Sequence, residues 1–187
     1  MKKMLMVALI MAIVTKVSAQ EAPNAGDNQR ISVYLHPITL IAGLAAEELP
    51  FLLYITGEVP LNGSNSLIIN PSLWAGDVGG ISYSRLGSGI GIRFFPSGEA
   101  KGFYLQAMGS ANHLSIEEID ILGAKVKVSG FMADILGYIG YSAKYAGVSV
   151  FIDFGIGRSH YSIDVNNAEL ARNGLTLDVN LGIGIPF

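Results

Sequence analysis

Apolar and polar or very small residues alternate along this chain with a period of two, the signature of an extended strand that shows different faces to two environments. The clearest run closes the chain. Leu175, Leu177, Val179, Leu181, Ile183, Ile185 and Phe187 fall on one side, and Thr176, Asp178, Asn180, Gly182, Gly184 and Pro186 on the other. Seven further runs precede it, over residues 31–44, 51–59, 66–76, 81–95, 103–110, 126–141 and 148–159. Two of them change phase, at Pro37 and near Ser129-Gly130, and a β-bulge is the expected cause at each. Tight-turn residues stand at Asn62-Gly63-Ser64-Asn65, at Pro96 to Lys101 and at Lys144 to Gly147. On the opposite side, connections are expected near residues 47, 78, 117 and 168, the last two as long loops over 113–123 and 163–174. The pattern predicts an all-β, eight-stranded antiparallel up-and-down barrel of one domain.

The amino terminus breaks this pattern. Lys2 and Lys3 precede the apolar stretch Met4 to Val14, and Val17-Ser18-Ala19 follows, which reads as a secretory signal peptide over residues 1–19. The apolar stretch is far shorter than the ~20 residues of a spanning helix. Residues 20–30, with Pro23, Asn24, Gly26 and Asp27, read as a short periplasmic tail, leaving 31–187 for the barrel. Removing residues 1–19 leaves 9 basic against 15 acidic side chains, a net charge of −6. A mildly acidic chain without basic clusters is not built to bind nucleic acid. Cys is absent, which excludes disulfides, thiolate metal sites, cysteine nucleophiles and a lipoprotein anchor.

Composition decides which face points outward. Half of the residues are hydrophobic, 14% are charged and the mean hydropathy is +0.44, whereas a soluble surface carries about 25–35% charged residues. With the apolar face inward, the outer surface would consist of Gly, Ser, Tyr and a few charges. The apolar face is therefore expected outward, in lipid, which makes the barrel a transmembrane one. Phe94, Phe103, Tyr141 and Phe187 then fall at the turn-side ends of their strands as an interfacial aromatic girdle. In the final strand, Asn180, Gly182, Ile185 and Phe187 are spaced like the carboxy-terminal β-signal that the barrel-assembly machinery reads. With the signal peptide and eight alternating strands, the chain resembles the small outer-membrane barrels of the OmpA membrane-domain and OmpX type. That resemblance implies the cell outer membrane, a monomer, outer-membrane lipid and lipopolysaccharide as surroundings, and an envelope-structural or surface-binding role.

An eight-stranded barrel is just wide enough for side chains to fill it. Inward glycines on the fourth, seventh and eighth strands are expected to make room for Tyr34, Tyr54, Trp74, Tyr104 and Tyr138. Glu58, Arg85, Arg93, Asp134, Asp153 and Asp178 share the inward phase, and charges so confined require partners, so a lumen network is expected. Glu58 and Arg93, with one strand between them, are expected in one layer. The alternative is a narrow channel or a pocket for a small apolar ligand.

Three motifs bear on chemistry. Gly87-Ser88-Gly89-Ile90-Gly91 lacks both the spacing and the following helix of a dinucleotide loop, so no cofactor is expected. His113, Glu117, Glu118 and Asp120 are spaced as a solvated acidic loop rather than a metal site. His160-Tyr161-Ser162 resembles the His-x-Ser motif of outer-membrane lipid A deacylases, and His160 with Ser162 as nucleophile would imply a lipid A or phospholipid hydrolase. Ile163-Asp164-Val165 departs from the Asn-Ala-Gly of that family, and the acid position falls at Thr176, with Asp164 and Glu169 as the nearby acids. The competing reading of His160 and Ser162 is interfacial anchoring beside Arg158 and lipopolysaccharide phosphates.

Overall fold

The computed structural model describes residues 31–37, 51–78, 81–121, 124–145, 147–165 and 168–186. The stretches expected to be a signal peptide and a tail, the first predicted strand beyond Pro37, and Phe187 lie outside the described residues. Eight strands follow in order: β1 Ser32–Leu35, β2 Phe51–Pro60, β3 Asn65–Val78, β4 Ile81–Phe94, β5 Gly102–Ile121, β6 Ala124–Tyr145, β7 Val148–Val165 and β8 Ala168–Pro186. Each pairs antiparallel with the next, and β8 pairs back onto β1 with Ile185 opposite Val33, closing the ring. The chain is an eight-stranded up-and-down barrel, as its alternation predicts.

Orientation follows the same alternation. Outward positions carry the aliphatic residues, among them Ile90, Ile135, Ile152, Leu177 and Val179, all at least half exposed. Inward positions carry Tyr34, Arg93, Tyr104 and Ser149, which are essentially inaccessible. Phe94, Phe103 and Tyr141 point outward near the turn end, where the Phe103 and Tyr141 rings meet edge to face at 6.4 Å.

At that end the turns are chemically specified. Asn62 Oδ1 accepts from the backbone N–H groups of Ser64 at 2.9 Å and Asn65 at 2.8 Å, closing the β2–β3 turn with its own side chain. Gly98 and Gly102 adopt φ of +77° and +86° in the β4–β5 turn, and Gly147 a φ of +81° before β7, conformations that L side chains resist.

Two expectations need correction at the far end. The stretches 113–123 and 163–174 are not long loops. The β5–β6 ladder runs on to Ile121 opposite Ala124, and the β7–β8 ladder to Val165 opposite Ala168. On β5 and β6 the alternation changes phase there, Glu118-Ile119-Asp120-Ile121 and Lys125-Val126-Lys127-Val128 putting apolar residues in the phase that is polar lower in the strands, so the stretch does not read as a continuation although the backbone ladder goes on. The bulge expected at Ser129-Gly130 is also misplaced. β6 is paired without interruption to β7 from Val128 to Tyr145, and the extra residue sits on β5 between Ile116 and Ile119. Val126 and Val128 keep the inward phase of Asp134. They looked out of step only because they are apolar. The bulge expected at Pro37 concerns residues 38–44, which lie outside the described residues.

Candidate functional site

The lumen divides into two layers, each built by residues two apart on neighbouring strands. Nearer the turn end, Arg93 of β4 donates from Nη1 to Glu58 Oε2 of β2 at 3.0 Å and from Nε to Gln106 Oε1 of β5 at 3.0 Å. Its Nη2 lies 3.9 Å from Asp153 Oδ2 of β7. Tyr34 donates its hydroxyl to the same Glu58 oxygen at 2.9 Å, and Tyr104 donates to Asp153 Oδ2 at 2.7 Å. The guanidinium is also sandwiched, its Cζ 4.0 Å from the Tyr104 ring centre and 4.8 Å from that of Phe151. Charge, hydrogen bonds and ring faces together compensate a cation that water does not reach, which is the condition for a buried ion pair to persist.

Glycines make this layer possible. A Cβ at Gly140 would come within 2.6 Å of the Tyr104 hydroxyl, one at Gly182 within 2.6 Å of the Phe151 ring, and one at Gly184 within 2.6 Å of the Tyr34 ring. The aromatic groups occupy the space that side chains on β6 and β8 would otherwise fill, so the cross-section at this level is packed.

Beyond this layer the lumen opens into a chamber of about 410 Å³. Asp178 accepts from Tyr138 at 2.8 Å and from Asn180 Nδ2 at 2.9 Å, and the same Asn180 amide reaches Asp153 Oδ1 at 3.0 Å, joining chamber to plug. Asp134 accepts from Ser110 at 2.8 Å and from Ser159, whose hydroxyl also meets Thr176. Asn70 donates to the Tyr54 hydroxyl at 2.8 Å. Arg85 lines the opposite wall. The six charged positions read from the sequence thus all face inward but form two groups, Glu58, Arg93 and Asp153 in the plug and Arg85, Asp134 and Asp178 around the chamber. Trp74 and Tyr54 line the chamber as well.

Three plug residues escaped the sequence reading. Phe151 lies in the polar phase of β7 between Ser149 and Asp153, so its phase alone marks it as inward; its apolar character hid it. Gln106 is signalled in the same way. His36, buried with its Nε2 2.8 Å from Thr56 Oγ1, packs edge to face on Tyr54 at 4.3 Å, a contact no local pattern announces.

The remaining motifs fall on the strands. Gly87 to Gly91 is regular β4, with Gly87 and Gly91 lying close over β5. Among the described residues, no three His, Cys, Asp or Glu side chains converge as metal ligands. His160 and Ser162 both point outward from β7, and His160 Nδ1 lies 2.9 Å from Oδ1 of its cross-strand partner Asn173. Thr176 is not on that face. It points inward and bonds Ser159, so the group that orients His160 is Asn173. In the final strand Asn180 and Gly182 point inward and Ile185 outward.

No protein-family model matches the chain, and no curated protein does. Among solved structures the barrel is similar in outline to CarO2 of Acinetobacter baumannii, at a TM-score of 0.44 and 12% identity, with 84% of this chain and 98% of that one covered.

Proposed function

We propose that the chain is a monomeric outer-membrane β-barrel, exported by a signal peptide at residues 1–19, with an envelope-structural or surface-binding role and a lumen closed to solute flow. The observation that carries this reading is the inverted barrel. Its outward positions are aliphatic around the ring, while Arg, Asp, Glu, Asn and Ser line the inside. In water such an exterior would be a continuous apolar patch far beyond the about 400 Å² a soluble domain tolerates. In a bilayer it is the lipid-facing band, and closure of β8 onto β1 leaves no unpaired edge in the hydrocarbon.

The packed layer around Arg93 supports a closed lumen over the channel reading. Asn180, Gly182, Ile185 and Phe187 supply the signal for the assembly machinery, and lipopolysaccharide and phospholipid are the partners of the outer face. Fractionation with heat-modifiability on gels tests the localisation, and planar-bilayer recording tests closure. A folded, heat-modifiable band in the outer-membrane fraction and conductance near zero are expected; recovery of a soluble periplasmic protein would overturn the reading.

One observation favours a second reading, the lipid hydrolase. His160 is held by Asn173 across the β7–β8 ladder, on the same outward face as Ser162, in the arrangement by which a third side chain orients a catalytic histidine. Mass spectrometry of lipid A and phospholipids from cells with and without the gene tests it. A missing acyl chain that returns with His160→Ala and with Ser162→Ala would establish hydrolysis, and identical lipids would remove it.

A further inference from the structure

Beyond the chamber, at the end away from the turns, the barrel exchanges its inner and outer chemistry. Leu114, Gly130, Ile163 and Leu170 are successive cross-strand partners on β5 to β8, and they share the inward phase that nearer the turns carries Gln106, Asp134, Asp153 and Asp178. Ile116 and Val128, also inward, pair one step further out, and Met132 lies one step back toward the chamber. The outward row between them is polar: Ser115, Ser129 and Asp164 are cross-strand partners in turn. Polar residues outside and apolar ones inside make the wall of a barrel that stands in water and keeps its apolar face for its interior. That interior is not filled by the wall itself, since Ile163 is 37% and Leu170 67% exposed, and Leu114, Ile116, Val128 and Met132 are half-buried. Met132 lines the chamber as well, so the two spaces are continuous.

We propose that this end of the barrel binds a neutral single-chain amphiphile, a linear alcohol in its simplest form, with the hydroxyl in the chamber and the hydrocarbon tail along the apolar wall of β5 to β8. Charge selects the head. The chamber carries Arg85 on one wall and Asp134 and Asp178 on the other, so a carboxylate meets two acids and an ammonium meets the guanidinium, whereas a hydroxyl both accepts and donates and opposes neither. The wall selects the tail, because covering it withdraws from water apolar surface that the fold leaves part-exposed. Size selects a small molecule: an eight-stranded interior holds one small ligand, and the chamber measures about 410 Å³. Since the Arg93 layer closes the turn end, the ligand enters and leaves by the far end, which makes this a binding site and not a passage. The site deepens the surface-binding reading and rests on it: a soluble periplasmic protein would end that reading, whereas an outer-membrane barrel that binds no alcohol would end only this one.

Trp74 is the one tryptophan in the chain and lines the chamber, so its emission reports on this site. The folded barrel in lipid nanodiscs, which avoid detergent as a competing amphiphile, is titrated with 1-butanol, 1-hexanol, 1-octanol, octanoate and octylamine, with affinities referred to the free aqueous concentration. Saturable change with the alcohols is expected, about 2- to 4-fold tighter for each added methylene, and octanoate and octylamine should bind at least about tenfold more weakly than 1-octanol. Ile116→Asn/Val128→Asn, which makes one cross-strand pair of the wall polar, should weaken 1-octanol by about tenfold and leave 1-butanol, whose tail ends short of the wall, within about twofold. Should that variant fail to fold, the chain-length series and the charged heads on the wild type decide the matter. An unsaturable response, affinity that does not rise with chain length, octanoate or octylamine binding as tightly as 1-octanol, or wild-type 1-octanol affinity in the folded variant would each overturn the proposal.

Discussion

Arg93 on β4 and Glu58 on β2 meet across β3 inside the barrel, Nη1 to Oε2 at 3.0 Å, with side chains 1% and 3% exposed. Removing the cation leaves Glu58 and Asp153 facing one another's field without compensation, and it empties the slot between Tyr104 and Phe151. Breaking a buried pair from one side costs about 3–5 kcal/mol. Arg93→Ala is expected to lower the urea midpoint of unfolding correspondingly, and to raise single-channel conductance in planar bilayers from near zero. An unchanged midpoint with no new conductance would show that this layer neither holds the barrel nor closes it.

Gly155 on β7 lies under the ring of Tyr138, with a Cβ there reaching within 2.6 Å of Tyr138 Cδ1. Gly155→Ala overpacks the lumen and should cost about 1–3 kcal/mol. The companion change Tyr138→Leu frees the space, so Gly155→Ala/Tyr138→Leu should lie closer in stability to Tyr138→Leu alone than Gly155→Ala lies to wild type. Urea titration of the four proteins, read as a double-mutant cycle, measures that coupling.

How much of this was legible in the residues depends on where the chain meets two different environments. Across Ile81 to Phe95 each residue faces either outward or into the lumen, so Arg85 and Arg93 are assignable inward from phase alone. Beyond Ile116 on β5 and ahead of Ser129 on β6 the period of two persists but its phase switches, so apolar residues stand where the rest of each strand carries polar ones. Those stretches therefore read as loops in the sequence. Within the lumen, phase gives direction but not height: it put all six charges inside and could not say that Arg93 joins Glu58 while Arg85 stands apart. Height is set by strand stagger and tilt, which are properties of the closed ring.

Asn62 replaces backbone with side chain in the β2–β3 turn, accepting from Ser64 N–H, Asn65 N–H and Asn65 Nδ2. Asn62→Ala removes all three acceptor contacts from an exposed turn, where water partly substitutes. A loss of about 1 kcal/mol is expected. Asn62→Asp, which keeps the acceptor oxygen, should retain most of the stability, and urea midpoints separate the two.

Phe187 completes the spacing begun by Asn180, Gly182 and Ile185. Phe187→Ser should leave export intact and reduce the heat-modifiable folded fraction in the outer membrane, with unfolded chain accumulating in the periplasm. Equal folded yields from pulse-labelled cells would mean that assembly does not read this terminus.

The strands β5 to β8 are 18 to 22 residues long, whereas β2 has 10. A membrane-crossing strand needs only about 9–11 residues, so in the proposed membrane setting close to half of each long strand would stand clear of the bilayer. What projects is hydrogen-bonded sheet, its backbone entropy already lost on folding. A molecule that docks there meets a surface that need not be ordered first, so affinity is not diminished by the stiffening a floppy loop would require. The same rigidity removes the extended, adaptable strand that a protease must thread into its cleft, so the most exposed part of this protein should also be among the hardest to cut.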